Sequence, residues 1–352
     1  MKKEQIIIVI PYESSSIKTD IKILSEKFNI IINKYDWKQK SLYPIYVFQQ
    51  LFFLLKNISK TQKIIIEFGG YWAVLPVLIG KIFNTPTAII LRGTDCAKIS
   101  YLNYGSLRKK LVYKVCKLSY KYTSILLPVS SSLMYIENKY TTNENIQGLK
   151  YHFPKIQTPS RVIHNGLDSY FWNRIEGIDK EKNRFLAVFS DNQFYLKGGD
   201  LIIKLASKFN NCNFYIAGCN EKKSYHPQNN VHFLGKLTKK ELLTEYNKAQ
   251  YYFQLSVFEG FGLSLCEAML CECIPITSSV NILPEIVGDT GFILLKKEIN
   301  QLQEILNNAI TTSNKNELGQ KARKRIIDNF SIEKRAEKLK NTLENLQNLK
   351  LE

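Results

Sequence analysis

The sequence predicts an α/β chain of two domains, each built on a parallel sheet, and three observations carry that expectation. Short β-branched runs alternate with longer segments of helical periodicity, the text of successive βαβ units. The runs are apolar on both faces, as strands covered by helices on each side require. The alternation breaks once and then restarts, and 352 residues at ~150 per domain leave room for two cores.

In order, the first domain reads IIIVI as a strand, residues 17–28 as a helix, NIII as a strand and 43–56 as a helix. KIIIEF, a helix over 71–83, TAIIL, SILLPV and RVIH continue the pattern. After Asn165-Gly166 the text LDSYFWNRIEGIDKEKNR has charges, Gly177 and no sustained period, which marks a linker. FLAVF restarts the alternation, followed by a helix over 198–209, NFYIAG, VHFLG, a helix from Thr238, YYFQL, a helix from Gly262, IPIT and GFILL. Thr238 with Glu241 three residues on is a capping box, each side chain satisfying an orphan amide of the first turn. Ile332, Ala336, Leu339, Leu343 and Leu346 form a last helical stripe that must be buried. The expected domains are 1–170, 171–330 and a terminal helix over 331–352.

Charge is unevenly placed. Residues 1–175 hold 25 basic and 10 acidic side chains, net +15, against 24 and 21, net +3, in 176–352. Seven irregularly spaced cysteines argue for a reducing compartment and against a disulfide framework. MKKEQIIIVIPYESSS reads as a first strand, its apolar run being too short for a signal peptide. The most apolar region, 64–80, contains Glu67, Gly69, Gly70 and Pro76 and does not read as a membrane span.

Residues 253–294 carry the chemistry. They read strand, glycine-bearing loop, helix, strand, and in a parallel sheet that loop opens at the carboxyl edge where ligands bind. Gly260 and Gly262 admit close backbone approach, and amides around Gly262, Leu263 and Ser264 with the positive helix end suit a phosphate. Glu259 and Glu267 flank that position. Carboxylates repel phosphates, so they should face hydroxyls, which a nucleotide sugar supplies on its ribose and on its transferred ring.

With these residues the sequence resembles family 4 of the retaining glycosyltransferases, whose signature is two glutamates eight apart around GFG. The resemblance implies the GT-B architecture, two Rossmann-like parallel-sheet domains facing a central cleft, with the C-terminal helix packing back on the first domain. It implies that Glu259 contacts the transferred sugar, Glu267 the ribose, and the amides near Phe261, Gly262 and Leu263 the diphosphate and sugar. VIHNGLDSYFW, which contains Asn165, resembles the interdomain segment, and in YLKGGDLIIKLA Lys197 matches a phosphate-binding lysine. LPVSSSLMYI and LPEIVGDTGFIL are further landmarks.

Three departures stand out. Asp191 occupies the place of an arginine six positions before the lysine, and Arg92 in RGTD that of a histidine near the sugar. Arg92 is then a ligand for phosphate or acceptor, or half of a salt-bridged turn with Asp95. Paired glycines before PE are replaced by Asn281 and Ile282, and a glycine of CGxP by Glu272.

The expected catalytic residues are thus Glu259, Lys197 and Arg92; the donor-binding residues are Glu267, Gly262, Phe261, Leu263, Gly260, Ser264 and Asn165. Leaving-group charge would be stabilised by Lys197 and the helix amides, each well-placed donor worth on the order of 3 kcal/mol. No Asp-any-Asp pair is present, no metal site is expected, and the cysteines and histidines fit no zinc spacing. No cofactor is expected beyond the UDP- or GDP-sugar substrate. The expected function is transfer with retention to a glycan or lipid-linked acceptor in surface polysaccharide or glycolipid assembly. A catalytically silent binder of nucleotide sugar or anion, and a nucleotide-sugar epimerase, are the alternatives.

LRKKLVYKVCKLSYKY, 107–122, is a cationic helix without acids. Leu107, Leu111, Val115, Leu118 and Tyr122 share one stripe, Lys110, Lys114, Lys117 and Lys121 another. Either the apolar stripe packs on the sheet while the lysines are merely solvated, or the helix holds an anionic membrane from the cytoplasmic side. No recognition motif accompanies the charge, and no nucleic acid is expected as partner.

Overall fold

The computed structural model describes residues 3–37 and 39–346. Two compact units emerge: Met1–Ile136, Ile146–Asn165 and Glu333–Glu352 form one, Glu137–Asn145 and Gly166–Ile332 the other. Residues 347–352 of the expected terminal helix lie outside the described residues.

The first unit alternates β1 (Gln5–Ile10), α1 (Ser15–Ser25), β2 (Asn29–Lys34), α2 (Tyr43–Asn57), β3 (Thr61–Glu67), α3 (Tyr71–Ile82), β4 (Thr87–Leu91), α4 (Lys110–Tyr122) and β5 (Ile125–Pro128). Its sheet runs β2-β1-β3-β4-β5, all parallel. Isoleucines dominate because both faces of the inner strands are covered: Ile6, Ile7, Ile64, Ile65 and Ile89 are fully buried. RVIH forms no strand. Arg161 and Ile163 donate to the carbonyls of Leu126 and Pro128 at 3.0 Å, but the segment beyond has no regular structure.

The short strands β6 (Ile136–Glu137) and β7 (Ile146–Gln147) and the turn α5 (Leu149–His152) follow. The second unit then runs β8 (Glu181–Val188), α6 (Gly199–Ala206), β9 (Asn213–Ala217), β10 (Val231–Gly235), α7 (Lys239–Lys248), β11 (Ala249–Gln254), α8 (Leu263–Leu270), β12 (Ile274–Ser278), α9 (Leu283–Val287), β13 (Phe292–Leu294), α10 (Ile299–Thr311) and α11 (Lys315–Phe330). Its parallel sheet is ordered β10-β9-β8-β11-β12-β13. The chain leaves β8 toward β9 on one side and returns to β11 on the other, so the strand order reverses between β8 and β11. α11 packs on α8. The capping box at Thr238 is present, with the Thr238 amide donating to Glu241 at 2.7 Å.

α12 (Ile332–Glu344) belongs almost wholly to the first unit. Leu339, Leu343 and Leu346 of the expected stripe are buried there, and Lys340 pairs with Glu26, which follows α1. The stripe also hides a charge. Arg335 grips Asp20 of α1 through two bonds of 2.6 Å and donates to the carbonyls of Ile163 and His164.

Helix α4 faces the other way from the sequence expectation. Val112, Cys116, Ser119 and Tyr120 are its buried side, whereas Leu111 and Leu118 are 59% and 38% exposed. The Tyr120 hydroxyl decides the rotation, because it donates to the Asp95 carbonyl at 2.9 Å inside the core.

Candidate functional site

In an open parallel sheet, ligands bind beyond the carboxyl ends of the strands where the strand order reverses. In the second unit the loops after β8 and β11 meet there, tied by the Val257 amide on the Leu196 carbonyl at 2.8 Å. Gly198 makes this approach feasible. It sits at φ +77°, and a Cβ there would lie 2.5 Å from the Leu255 carbonyl oxygen.

Lys197 from the first loop and Glu259 from the second form an ion pair, their side chains 14% and 13% exposed. Two polar groups fix the carboxylate and a third fixes its backbone. Gln254 donates to its Oε2 at 2.7 Å, the Ser256 hydroxyl lies 3.3 Å away, and the Glu259 amide is held by Asn281 Oδ1 at 3.1 Å. An ammonium has three donors, so a pairing with one carboxylate leaves hydrogen-bonding capacity for an anionic ligand.

Gly262 caps α8 at φ +103°, a backbone that side chains rarely adopt, and starts the helix directly after Glu259-Gly260-Phe261. Leu263 and Ser264 open α8, where amides lack intrahelical acceptors and the dipole is positive. Phe261 turns inward instead, its ring 5.6 Å from that of Phe330 on α11.

Glu267 lies further along α8 and accepts from the Tyr246 hydroxyl at 3.3 Å. Burial pushes its carboxyl up to about 7, only partly offset by that bond and by Lys239. Burial raises the phenols of Tyr246 and Tyr252 far above their ordinary range, and neighbouring Ser264 opposes that rise at both. The Tyr252 hydroxyl reaches Gln254 Oε1 at 3.1 Å. Each glutamate is thus backed by its own bonded run, Glu267 by Tyr246 and Glu259 by Gln254 and Tyr252. Sequence reading missed Tyr246, Tyr252, Gln254 and Ser256. The last three alternate along β11 and just beyond it, a period-two polar signal hidden inside an apolar strand.

The departures are accommodated by side chains and strain. Asp191 accepts from the Asn220 amide at 3.2 Å and faces Lys222 at 3.5 Å. The Cys219 thiol, that amide and Lys222 together hold its carboxyl below the usual range. Asn281 and Glu272 keep left-handed backbones, φ 52° and 62°, where the resembling family has glycine. Asn281 is further clamped by Asn138, which receives its amide at 3.0 Å.

In the first unit Arg92 is enclosed rather than presented. Its Nε donates to Glu67 at 2.8 Å, its Nη1 to Asn165 at 3.0 Å, and its Nη2 to Asp20, with the side chain 5% exposed. Nor is RGTD a salt-bridged turn. Asp95 instead accepts the amides of Gly69, Arg92 and Gly93 at 3.0–3.1 Å. Desolvation opposes the charges of this cluster. Asp20 stays below its ordinary range because Arg335 and Arg92 outweigh burial, whereas burial raises Glu67 despite Arg92.

All seven cysteines are free and buried. Among the described residues no cluster of three or more His, Cys, Asp or Glu could hold a metal ion. Among them, too, no helix is long and apolar enough to cross a membrane.

Residues 171–329 match the family model described as Glycosyl transferases group 1. A 72-residue stretch is 33% identical to the O-antigen chain mannosyltransferase B of Escherichia coli, covering 20% of this chain and 19% of that relative. The match therefore spans about a fifth of that protein's length. Several solved structures cover nearly the whole chain, two of them as follows. Sucrose-phosphate synthase from Thermosynechococcus elongatus superimposes with TM-score 0.77 at 12% identity, over 98% of this chain and 99% of that one. HepE from Anabaena, in complex with UDP-glucose, does so with 0.72 at 14%, over 97% and 99%. At such identities these likenesses show the fold, which is of the GT-B class.

Proposed function

We propose, on the match of residues 171–329 to the glycosyl transferases group 1 model, that the chain transfers a hexose from a UDP- or GDP-sugar to a glycan or lipid-linked acceptor, with retention of configuration. The setting is surface polysaccharide or glycolipid assembly, in line with the mannosyltransferase relative matched over part of its length. The observation that carries the reading is the meeting of Lys197 and Glu259 at the strand-order reversal, beside the start of α8.

In this reading negative charge grows on the diphosphate as the anomeric bond breaks. Lys197 and the first amides of α8 stabilise it, each on the order of 3 kcal/mol when well placed. Glu259 accepts hydroxyls of the transferred sugar and Glu267 those of the ribose. Gly260, Gly262, Leu263 and Ser264 line the diphosphate, while Phe261 acts by anchoring the loop to α11. Asp191 is turned onto the Asn220 amide and its negative charge is balanced by Lys222. Arg92 and Asn165 bond one another inside the first unit, where both are buried, and hold that unit's structure rather than the donor. Positive charge from protein groups makes a divalent ion unnecessary.

The test is nucleotide release from a panel of UDP- and GDP-sugars, with chelator present, followed by proton NMR of the product. Turnover with retained configuration is expected, and Lys197→Ala should lower kcat by about a hundredfold or more while the fold is kept. Donor binding without turnover on any acceptor would favour the silent binder, in which the Lys197–Glu259 pair never opens. Inverted product refutes retention.

A further inference from the structure

Helix α2 is built inside out. It is almost entirely apolar, YPIYVFQQLFFLLKN, yet only Gln50 and Leu54 are buried. Ile45, Phe48, Phe52 and Leu55 are 51%, 63%, 72% and 46% exposed. Their spacing of three, four and three residues puts them on a single stripe. Burying these side chains is worth far more than solvating them, so a face of this kind on a soluble unit calls for a cover.

What covers it is told by the neighbouring charge. The crossovers β2 to β3, β3 to β4 and β4 to β5 all advance in the same direction across the sheet, and right-handed connections place α2, α3 and α4 on the same sheet face. α2 packs on α3 and α3 on α4, so their outer sides form one layer. On α4 that outer side presents Lys110, Lys114, Lys117 and Lys121 around the exposed Leu111 and Leu118. Between Trp37 and Ile136 the sequence holds 14 basic residues and only two acids, Glu67 and Asp95. Both acids are 1% exposed. The layer therefore shows solvent lysines and apolar side chains with no carboxylate to oppose an anion.

We infer that the α2–α4 layer of the first unit docks on an anionic lipid bilayer, with Phe48 and Phe52 entering the headgroup and acyl boundary while the α4 lysines hold lipid phosphates. Amphipathic surfaces with aromatic and leucine side chains beside lysines bind in the interface plane by this combination. The inference deepens the lipid-side setting proposed above and locates the contact on α2, which composition alone does not mark. It does not depend on sugar transfer, because binding is read without donor or acceptor.

The experiment is co-sedimentation of the full chain with vesicles of phosphatidylglycerol and phosphatidylethanolamine, and with phosphatidylcholine vesicles, at low and high salt. Strong pelleting with the anionic vesicles is expected, with partial retention at high salt where only the apolar contribution survives. Lys110→Glu, Lys114→Glu and Lys117→Glu together should weaken binding by at least a hundredfold, since each lysine near such a surface is worth about fivefold. Phe48→Ser with Phe52→Ser should weaken it about tenfold and remove the salt-resistant part, with an unchanged melting temperature because both side chains are solvent-facing. Failure of the parent to pellet with anionic vesicles overturns the inference. So does binding unaffected by the phenylalanine pair, or a dimer in light scattering that the same pair converts to monomer, which would make a second copy the cover.

Discussion

Glu267 offers the sharpest test, because the same feature that tunes it destabilises the chain. Its carboxyl is lifted from 4.5 to about 7 by burial on α8. Between those values the folded chain binds more protons than the unfolded one, so stability falls as pH rises from about 4.5 to about 7 and then levels. A displacement of that size costs roughly 3 kcal/mol at pH 8 and under about 1 kcal/mol at pH 5. Glu267→Gln keeps an acceptor for the Tyr246 hydroxyl and removes the ionisation. Urea unfolding of parent and variant should show the variant gaining roughly 2 kcal/mol more at pH 8 than at pH 5. Calorimetry with the preferred donor should show the reverse in function. Parent affinity rises about tenfold from pH 6 to pH 8 as the carboxylate becomes available to the ribose hydroxyls, and the variant binds weakly at both. A stability difference that does not change with pH would refute the burial argument. A pH-independent parent affinity would refute the ribose assignment.

Other expectations concern the frame around the site. Asp20→Ala strands Arg335 and Arg92 without their shared carboxylate and should cost about 3–5 kcal/mol in denaturant unfolding. Since the folded carboxyl of Asp20 lies below its ordinary range, the parent should lose this contribution as pH falls through that range, whereas Asp20→Ala should show a flatter acid limb. Glu272→Gly relieves a left-handed backbone at φ 62° and should raise stability by about 1 kcal/mol, read as an increased melting temperature.

Much of this was legible in the sequence because it is local. The runs at β1, β3, β4, β8 and β11 announce parallel strands, and the capping box announces α7. Glu259 and the Gly262 turn follow from the loop that must end such a strand, and Lys197 from the family resemblance of YLKGGDLIIKLA. What was hidden depends on partners far away in the chain. Arg92 looks like a ligand until Asp20, 72 positions away, and Glu67, 25 away, are seen to enclose it. Arg335 in an apolar stripe makes sense only against Asp20, 315 positions earlier. The rotation of α4 was not legible because two stripes compete there, and a buried Tyr120 hydroxyl rather than hydrophobicity chooses between them. The exposure of α2 escaped for the opposite reason: a helix apolar nearly all round reads as core.

The first unit is written in separated stretches, and Asp20 leaves the ribosome long before Arg335 is made. At ordinary elongation rates the interval is roughly 15 to 60 s. Throughout that time the acid destined for the interior of α1 has no cationic clasp from α12, and the groove meant for Leu339 and Leu343 stands open. The nascent amino-terminal half is thus an unfinished object in need of shielding, and α12 acts as a latch that closes only after the second unit has been translated.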